Sequence, residues 1–534
     1  MSGSEFQTLI ELLEYRAVCD AGREALFVEG KSWTYGELWE ETRRFAATLT
    51  AKGFQKRDRL VIAIPNRVEF FAGLFGCQLV GVVPVLVSPE QSLRRLGKTA
   101  ATYRARGVLL DSLPLARAEE ERENEALVLE SKEPVQLLAI GQRCSFPVPK
   151  RFPQVEASDV AFVLMTSGST GDPKAVQLTH ANVMANLRMM SSRMRITSGD
   201  VFISWLPTFH DMGLVLMSLT PLLERARFVL LPVRSSPHAW LSSITDFGGT
   251  VIAAPDFGYR YCLYAVRQSS KYRLGSLRLA LNAAEPVRAN TITSFERRFG
   301  LHGVIVPAYG LAESTAGVSC CEPGEPIWTD QIGRVSVGKP FSNVDIRIQV
   351  SETTTESGEG GEILVRSPSN TIGYLDEFVR SSEPFDEDDW IRTGDCGYLD
   401  ESGRLFVTAR LRDLIIQAGR NLPPALIEEV VDEIRFVRYS GVVGIETHRR
   451  SGEQAVVFAE LRRPSLEEEE YALIGRQIVS HIHLELGFRP GRVVLVRPRT
   501  IPRTRTGKIM RAELRERFLK GELSNSASIL YSTE

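Results

Sequence analysis

The sequence predicts an α/β protein. A large N-terminal domain of layered sheets and helices is expected over residues 1–410, and a small α+β domain over residues 411–534. Three observations carry this. Short apolar runs alternate with amphipathic ones through most of the chain, the pattern of strands interleaved with covering helices. The 534 residues exceed one ordinary domain. The pattern also changes near Arg410–Asp413, and the remainder, about 120 residues, has an ordinary single-domain size.

Taken in order, residues 36–50 place apolar positions at helical spacing with charges between them. Leu60–Ile64 reads as a strand ended by Pro65, Glu69–Val80 as a helix and Val82–Val87 as a buried strand. Residues 115–135 are strongly charged and read as a surface helix or loop. Val160–Met165 is a strand that enters a Gly/Ser/Thr-rich turn, with a helix expected near Ala181–Met194. The polar, Gly-rich stretch 351–361 suits a hairpin loop between strands, and Glu362–Val365 and Arg404–Val407 read as strands. Beyond the change, a helix is expected at Ala425–Ile434, strands at Tyr439–Val443 and Ala455–Leu461, a helix at Tyr471–Leu486, and then a basic tail.

Composition narrows the function class. Hydrophobic residues at 43% and charged residues at 24% are the balance of a globular chain. The net charge of −2 gives no global signature of a nucleic-acid partner. No run reaches the ~18 apolar residues of a spanning helix, so no integral membrane segment is expected. The first twenty residues lack the pattern of a signal peptide. Seven dispersed cysteines, none in CxxC or zinc-ligand spacing, fit a reducing, cytoplasmic setting, with adjacent Cys320 and Cys321 read as small semi-buried residues.

Chemistry is concentrated in six segments. In the first, Thr166-Ser167-Gly168-Ser169-Thr170-Gly171-Asp172-Pro173-Lys174, a strand runs into hydroxyls, glycines and a lysine. Glycines let backbone N–H groups turn toward an anion, hydroxyls add donors, and Lys174 adds a point charge, so the segment suits a phosphate cradle. It is not a Walker A loop, because the spacing fails. The second runs from Trp205 to Gly213 and includes His210 and Asp211. On spacing alone, His210 fits a satisfied core histidine better than a pocket residue. The third, Asn282–Val287, has small residues Ala283 and Ala284 before Glu285. The fourth, Tyr309-Gly310-Leu311-Ala312-Glu313-Ser314-Thr315, offers Glu313 as a hard oxygen ligand of the kind Mg²⁺ takes, or as a solvated surface group. In the fifth, Asp395 is either an acceptor for two hydroxyls or a turn residue, and Arg410 follows a strand. The sixth ends in Thr506-Gly507-Lys508, where Lys508 alone could belong to a solvated basic patch.

The first of these segments resembles the phosphate loop of the adenylate-forming superfamily, which includes acyl-CoA synthetases, adenylation domains and luciferases. The others match in the expected order, so the resemblance covers nearly the whole chain. The wording of the second and third segments is most similar to fatty acyl-AMP ligases. The resemblance implies the adenylate-forming enzyme fold, a mobile C-terminal domain, and ATP with Mg²⁺. It implies that Thr166–Gly171 and Lys174 cradle phosphate, that Ala284 and Glu285 lie beside adenine, and that Tyr309 and Gly310 border the base. It further implies Mg²⁺ on Glu313, phosphate on Ser314 or Thr315, ribose on Asp395 and Arg410, and His210 beside the acyl carboxylate. Lys508 is implied as the group that reaches carboxylate and α-phosphate, stabilising charge in the transition state. Trp205, Met212, Gly213, Phe257 and Tyr259 are the acyl-pocket candidates. Asp211 offers no clear partner for a substrate ammonium group, which points to a fatty or other non-amino acid. The implied acceptor is the phosphopantetheine thiol of an acyl carrier protein, with coenzyme A as the alternative. Two departures bear on domain movement. The hinge position matches Arg412, where relatives usually carry Asp or Lys. The insertion that usually follows the Tyr309–Thr315 segment in fatty acyl-AMP ligases is absent.

Overall fold

The computed structural model describes residues 6–111, 135–139, 146–149, 151–166, 174–233, 235–350, 360–375, 388–417, 420–446, 453–503, 509–525 and 528–533. Two large sheets form the body of the chain. The seven-stranded one has a parallel centre of Val160–Thr166, Val83–Leu86, Arg59–Ala63, Gly107–Leu110 and Gln136–Ala139. These strands read as continuous apolar runs because both of their faces are covered, and Val61, Ile62, Val163 and Leu164 are all buried. The nine-stranded sheet is built around parallel Ile305–Gly310, Leu279–Asn282, Val251–Ala254, Val201–Ser204, Arg227–Leu230 and Glu24–Val28. An antiparallel sheet of Asp345–Gln349, Gly361–Arg366, Ile391–Leu399 and Leu405–Arg410 packs beside them.

One apolar core joins residues from Phe6 to Leu405. A separate core, from Ile415 to Leu495, lies beneath strands Val437–Glu446, Glu453–Leu461, Arg492–Val496 and Ile529–Ser532 and helix Glu468–Leu486. Chain order and covering helices thus give the α/β layering that the alternation predicts. The helix read over 36–50 runs Tyr35–Ala51, and Thr34 and Glu37 cap it reciprocally.

Three expectations need correction or limits. After the Gly/Ser turn the chain forms a further strand, Lys174–Thr179, before the helix His180–Met194 starts. Its sequence KAVQLT has strand propensity, and it pairs antiparallel to Val160–Thr166 with Thr166 opposite Lys174. The basic tail is structured: helix Arg511–Leu519 precedes strand Ile529–Ser532, which closes the C-terminal sheet. Residues 115–134 of the charged stretch and residues 351–359 of the loop expected over 351–361 lie outside the described residues.

Among the described residues, no helix is long and apolar enough to cross a membrane. Cys320 and Cys321 are buried, which pushes both thiols up to about 12 and fits the packing role read for them.

His180 ties the N-terminal helix to this body. Its Nδ1 accepts the Leu9 N–H at 3.2 Å, and burial pushes its pKa down to about 4 from 6.5. The folded state therefore holds the neutral imidazole, whereas the unfolded chain takes up a proton below 6.5. Stability from this site is fully present above that pH and is lost as pH falls toward 4. The expected loss is at most about 3 kcal/mol. Urea midpoints at neutral and acidic pH check this. A His180→Gln variant should show a flatter profile.

Candidate active site

Strand register builds the first part of the site. Asp395 and Arg410 are direct partners on adjacent strands, which places the Arg410 Nε 2.9 Å from Asp395 Oδ1. Tyr309, near the end of the parallel strand Ile305–Gly310, donates its hydroxyl to Asp395 Oδ2 at 2.7 Å. The Asp395 carboxylate raises the pKa of Arg410 against the effect of burial, and burial with that same carboxylate pushes the Tyr309 phenol well up. Three residues taken from separate segments therefore meet at one carboxylate. Each Asp395 oxygen keeps acceptor capacity for a further donor.

The second part joins the flank of the glycine-rich loop to Glu313. Gly373–Tyr374 pairs with the strand Lys174–Thr179. The Tyr374 hydroxyl donates to Glu313 Oε1 at 3.0 Å, while the Lys174 ammonium sits 5.0 Å over the Tyr374 ring. Sequence reading missed Tyr374, which no motif marks. Ser167, Gly168, Ser169, Thr170, Gly171 and Lys508 lie outside the described residues. Ser314 and Thr315 are fully buried, and their hydroxyls go to the Asn370 side chain and the Ser369 carbonyl. Neither hydroxyl faces an open anion site here, because the turn uses both to hold itself to residues 369–370. Thr315 adopts φ +70°, a conformation that a non-glycine residue keeps only when its surroundings hold it. Asn186 also holds this turn, exchanging hydrogen bonds with Gly317 at 2.8 and 3.1 Å.

A narrow cavity of about 50 Å³ adjoins Tyr309, Gly310 and Ala284. Met190 and Met194 from helix His180–Met194, Met212, Leu216 and Phe341 make it mostly apolar. Of the five pocket candidates, only Met212 lines it. Trp205 is buried and meets Trp240 and Phe257 edge-on. Tyr259 is buried and donates its hydroxyl to the Leu281 carbonyl at 2.6 Å. Phe257 packs on Trp205 and gives its N–H to Glu285 at 3.1 Å. Gly213 lies where a Cβ would stand 2.0 Å from the Pro207 carbonyl oxygen, so its role is close backbone packing. Large aromatics fill cores well, and pattern alone does not separate that use from a pocket wall. Asp211 lines the cavity, with Oδ1 accepting the Met212 N–H at 2.7 Å.

Met212 opens the π-helical stretch Met212–Leu219, whose wide turn continues into the following helix. Just before it, His210 packs against Phe209, and burial pushes its pKa down to about 4. It is a neutral imidazole at pH 7. Buried Asn66 fixes the preceding backbone through Leu206 and Thr208 and ties it to the Leu231 carbonyl. On the other side of the cavity, Ala284 adopts φ +66°. Burial pushes the neighbouring Glu285 up to about 7, opposed by the Phe257 N–H and by Arg260 and Arg288.

Residues 13–375 match the family of AMP-binding enzymes. The chain belongs to that family. It is an adenylate-forming enzyme, and such enzymes use ATP. The medium-chain-fatty-acid–acyl-carrier-protein ligase JamA of Moorena producens is 30% identical over 98% of this chain and 97% of the relative. A solved structure of the fatty acyl-adenylate ligases from E. coli and L. pneumophila superposes with a TM-score of 0.83 at 27% identity, covering 98% of this chain and all of that one. The o-succinylbenzoate coenzyme A synthetase of Bacillus subtilis, solved with ATP and magnesium ion, gives 0.79 at 25% identity over 94% of this chain and 99% of that one.

Among the described residues, no group of three or more His, Cys, Asp or Glu could hold a metal ion. This AMP-binding enzyme instead presents the carboxylate of Glu313, joined through Tyr374 to the lysine that ends its glycine-rich loop. That donor set fits Mg²⁺, which is held through one or two carboxylates together with substrate phosphates.

Proposed function

We propose that this enzyme activates a fatty or other non-amino carboxylic acid as acyl-AMP, releasing pyrophosphate, and passes the acyl group to the phosphopantetheine thiol of an acyl carrier protein. Coenzyme A is the alternative acceptor. Residues 1–410 bind ATP and acid, and residues 411–534 carry Lys508. The observation that carries this reading is the methionine-walled cavity beside Tyr309 and Ala284. It gives an alkyl chain an apolar slot next to the ribose-binding carboxylate. The slot is narrow, but methionines adapt by rotamer change. The name of the relative JamA supports both the acid and the acceptor.

A carboxylate is a poor electrophile, so a thiol does not attack it usefully. Attack of the acid's oxygen on the α-phosphorus of ATP forms the acyl–phosphate bond as the bond to pyrophosphate breaks. The thiol then attacks the acyl carbon, loses its proton and expels AMP. In the first step two anions must meet, so neutralising charge and positioning dominate catalysis. Asp395, Tyr309 and Arg410 fix the ribose end. Lys174 and Lys508 bring positive charge to the phosphates. Neutral His210 sits beside the acyl carboxylate without adding charge. Glu313 would hold Mg²⁺, which when bound would supply further charge neutralisation.

The test is acid-dependent ATP–pyrophosphate exchange over acids of graded length and over amino acids, then transfer to a holo-carrier protein or to coenzyme A. Exchange with fatty acids and preferential carrier loading are expected. Exchange confined to amino acids would sink the proposed acid class. Equal rates to coenzyme A would sink the proposed acceptor.

The slot also gives a length prediction. A Cβ at Gly317 would stand 2.6 Å from Phe341 and 3.0 Å from the Met190 sulfur. Gly317→Val should therefore fill the slot and lower kcat/KM for long acids roughly 10-fold or more, while short acids are spared. Exchange rates across the acid series read this directly.

A further inference from the structure

Two arginines of the N-terminal core reach one carboxylate of the C-terminal core. Arg288 Nη1 lies 2.8 Å from Asp432 Oδ2, and Arg260 Nη2 lies 3.3 Å from the same oxygen. Asp432 Oδ1 accepts the Ser440 hydroxyl at 2.9 Å. The side chains are 18% (Arg288), 23% (Arg260) and 10% (Asp432) exposed. Charges this far from water persist only when paired. The cluster therefore differs from a solvated surface pair of negligible worth.

Its position connects it to both halves of the proposed site. Arg288 follows Glu285 by three residues, and Arg260 lies on helix Asp256–Ala265. Asp432 ends helix Pro424–Asp432, and Ser440 lies on strand Val437–Glu446. Beside Ser440, the Tyr439 ring has the Arg260 guanidinium 5.3 Å and the Arg503 guanidinium 3.9 Å from its centre. Arg503 forms an isolated β-bridge with Ile509, the residue after Lys508. The backbone flanks of the Lys508 segment are thus anchored on the same cluster that joins the two cores.

We propose that Asp432 is a positioning residue, a latch whose pairing with Arg260 and Arg288 holds the C-terminal core in the pose that serves adenylation. The inference rests on the adenylating role proposed for Lys508. Removing the Asp432 charge takes away the anion that both arginines share and leaves at most a neutral amide oxygen between them, which disfavours this pose and shifts the population away from it. The first half-reaction then slows, and the second, which does not need this pose, does not.

The experiment measures the two halves separately in the full chain. Acid-dependent ATP–pyrophosphate exchange reads the first. Transfer from synthetic acyl-AMP to pantetheine reads the second. Asp432→Asn should lower exchange about tenfold and leave transfer unchanged or faster. Arg260→Met should reproduce the split with smaller size, and it carries the test if Asp432→Asn does not fold. A purely structural role would depress both halves in parallel. That outcome, or unchanged exchange in both variants, overturns the latch. Lys508→Ala separates the two ideas. If it retains exchange, the lysine assignment fails, and the latch is judged on the Asp432→Asn split alone. If it loses exchange while Asp432→Asn keeps it, the latch fails and the lysine stands.

Discussion

Lys508→Ala is expected to lower acid-dependent ATP–pyrophosphate exchange by about 100- to 1,000-fold, with the thermal midpoint moved by no more than a few degrees. Adenylation brings a negative carboxylate to a negative triphosphate. A preorganised cation there stabilises charge that develops only in the transition state, so its removal acts on kcat more than on KM. Stability should survive because a lysine side chain rarely contributes to an apolar core. Transfer from preformed acyl-AMP should be nearly unaffected, since no new charge meets the phosphate in that step. Isotopic exchange at saturating acid is the measurement. An undiminished rate would remove Lys508 from the reaction.

The second large effect is expected at Asp395. Its two oxygens take the Tyr309 hydroxyl and the Arg410 guanidinium at 2.7 and 2.9 Å, and the residue is 5% exposed. Asp395→Ala leaves a buried donor and a partly buried cation without their acceptor. The expected cost is roughly 2–4 kcal/mol of folding stability, together with a raised KM for ATP if the ribose also uses this carboxylate. Asp395→Asn separates the two effects. It keeps an acceptor for one donor but loses the charge, so stability should recover more than nucleotide affinity does. Denaturant unfolding and ATP titration of exchange are the paired measurements. Wild-type KM in both variants would show that the carboxylate only braces Tyr309 and Arg410.

Much of this was legible in the order of residues. The apolar runs that became parallel strands, such as Leu60–Ile64 and Val160–Met165, were readable because strands covered on both faces need unbroken hydrophobicity. The Tyr309, Asp395 and Arg410 segments were readable because motif order along the chain is a local property. Lys174–Thr179 was hidden because its strand is held by partners remote from its own residues, Val160–Thr166 on one edge and Gly373–Tyr374 on the other. The helix and strand after Lys508 were hidden because a basic sequence carries a weak hydrophobic pattern, while the sheet it completes lies elsewhere.

By itself the sequence determined the α/β class, through residue type and periodicity, and the family, through the resemblance of its ordered motifs, because both are recorded along one dimension. Only the tertiary structure decided which side chains share a cavity. It put Trp205 and Tyr259 into packing and Met190, Met194 and Phe341 into the slot. It turned Tyr374 toward Glu313 and set Asp432 against Arg260 and Arg288. The physical reason is that burial and pairing are properties of segments brought together from far apart in the chain, and no single segment records which partner it will meet.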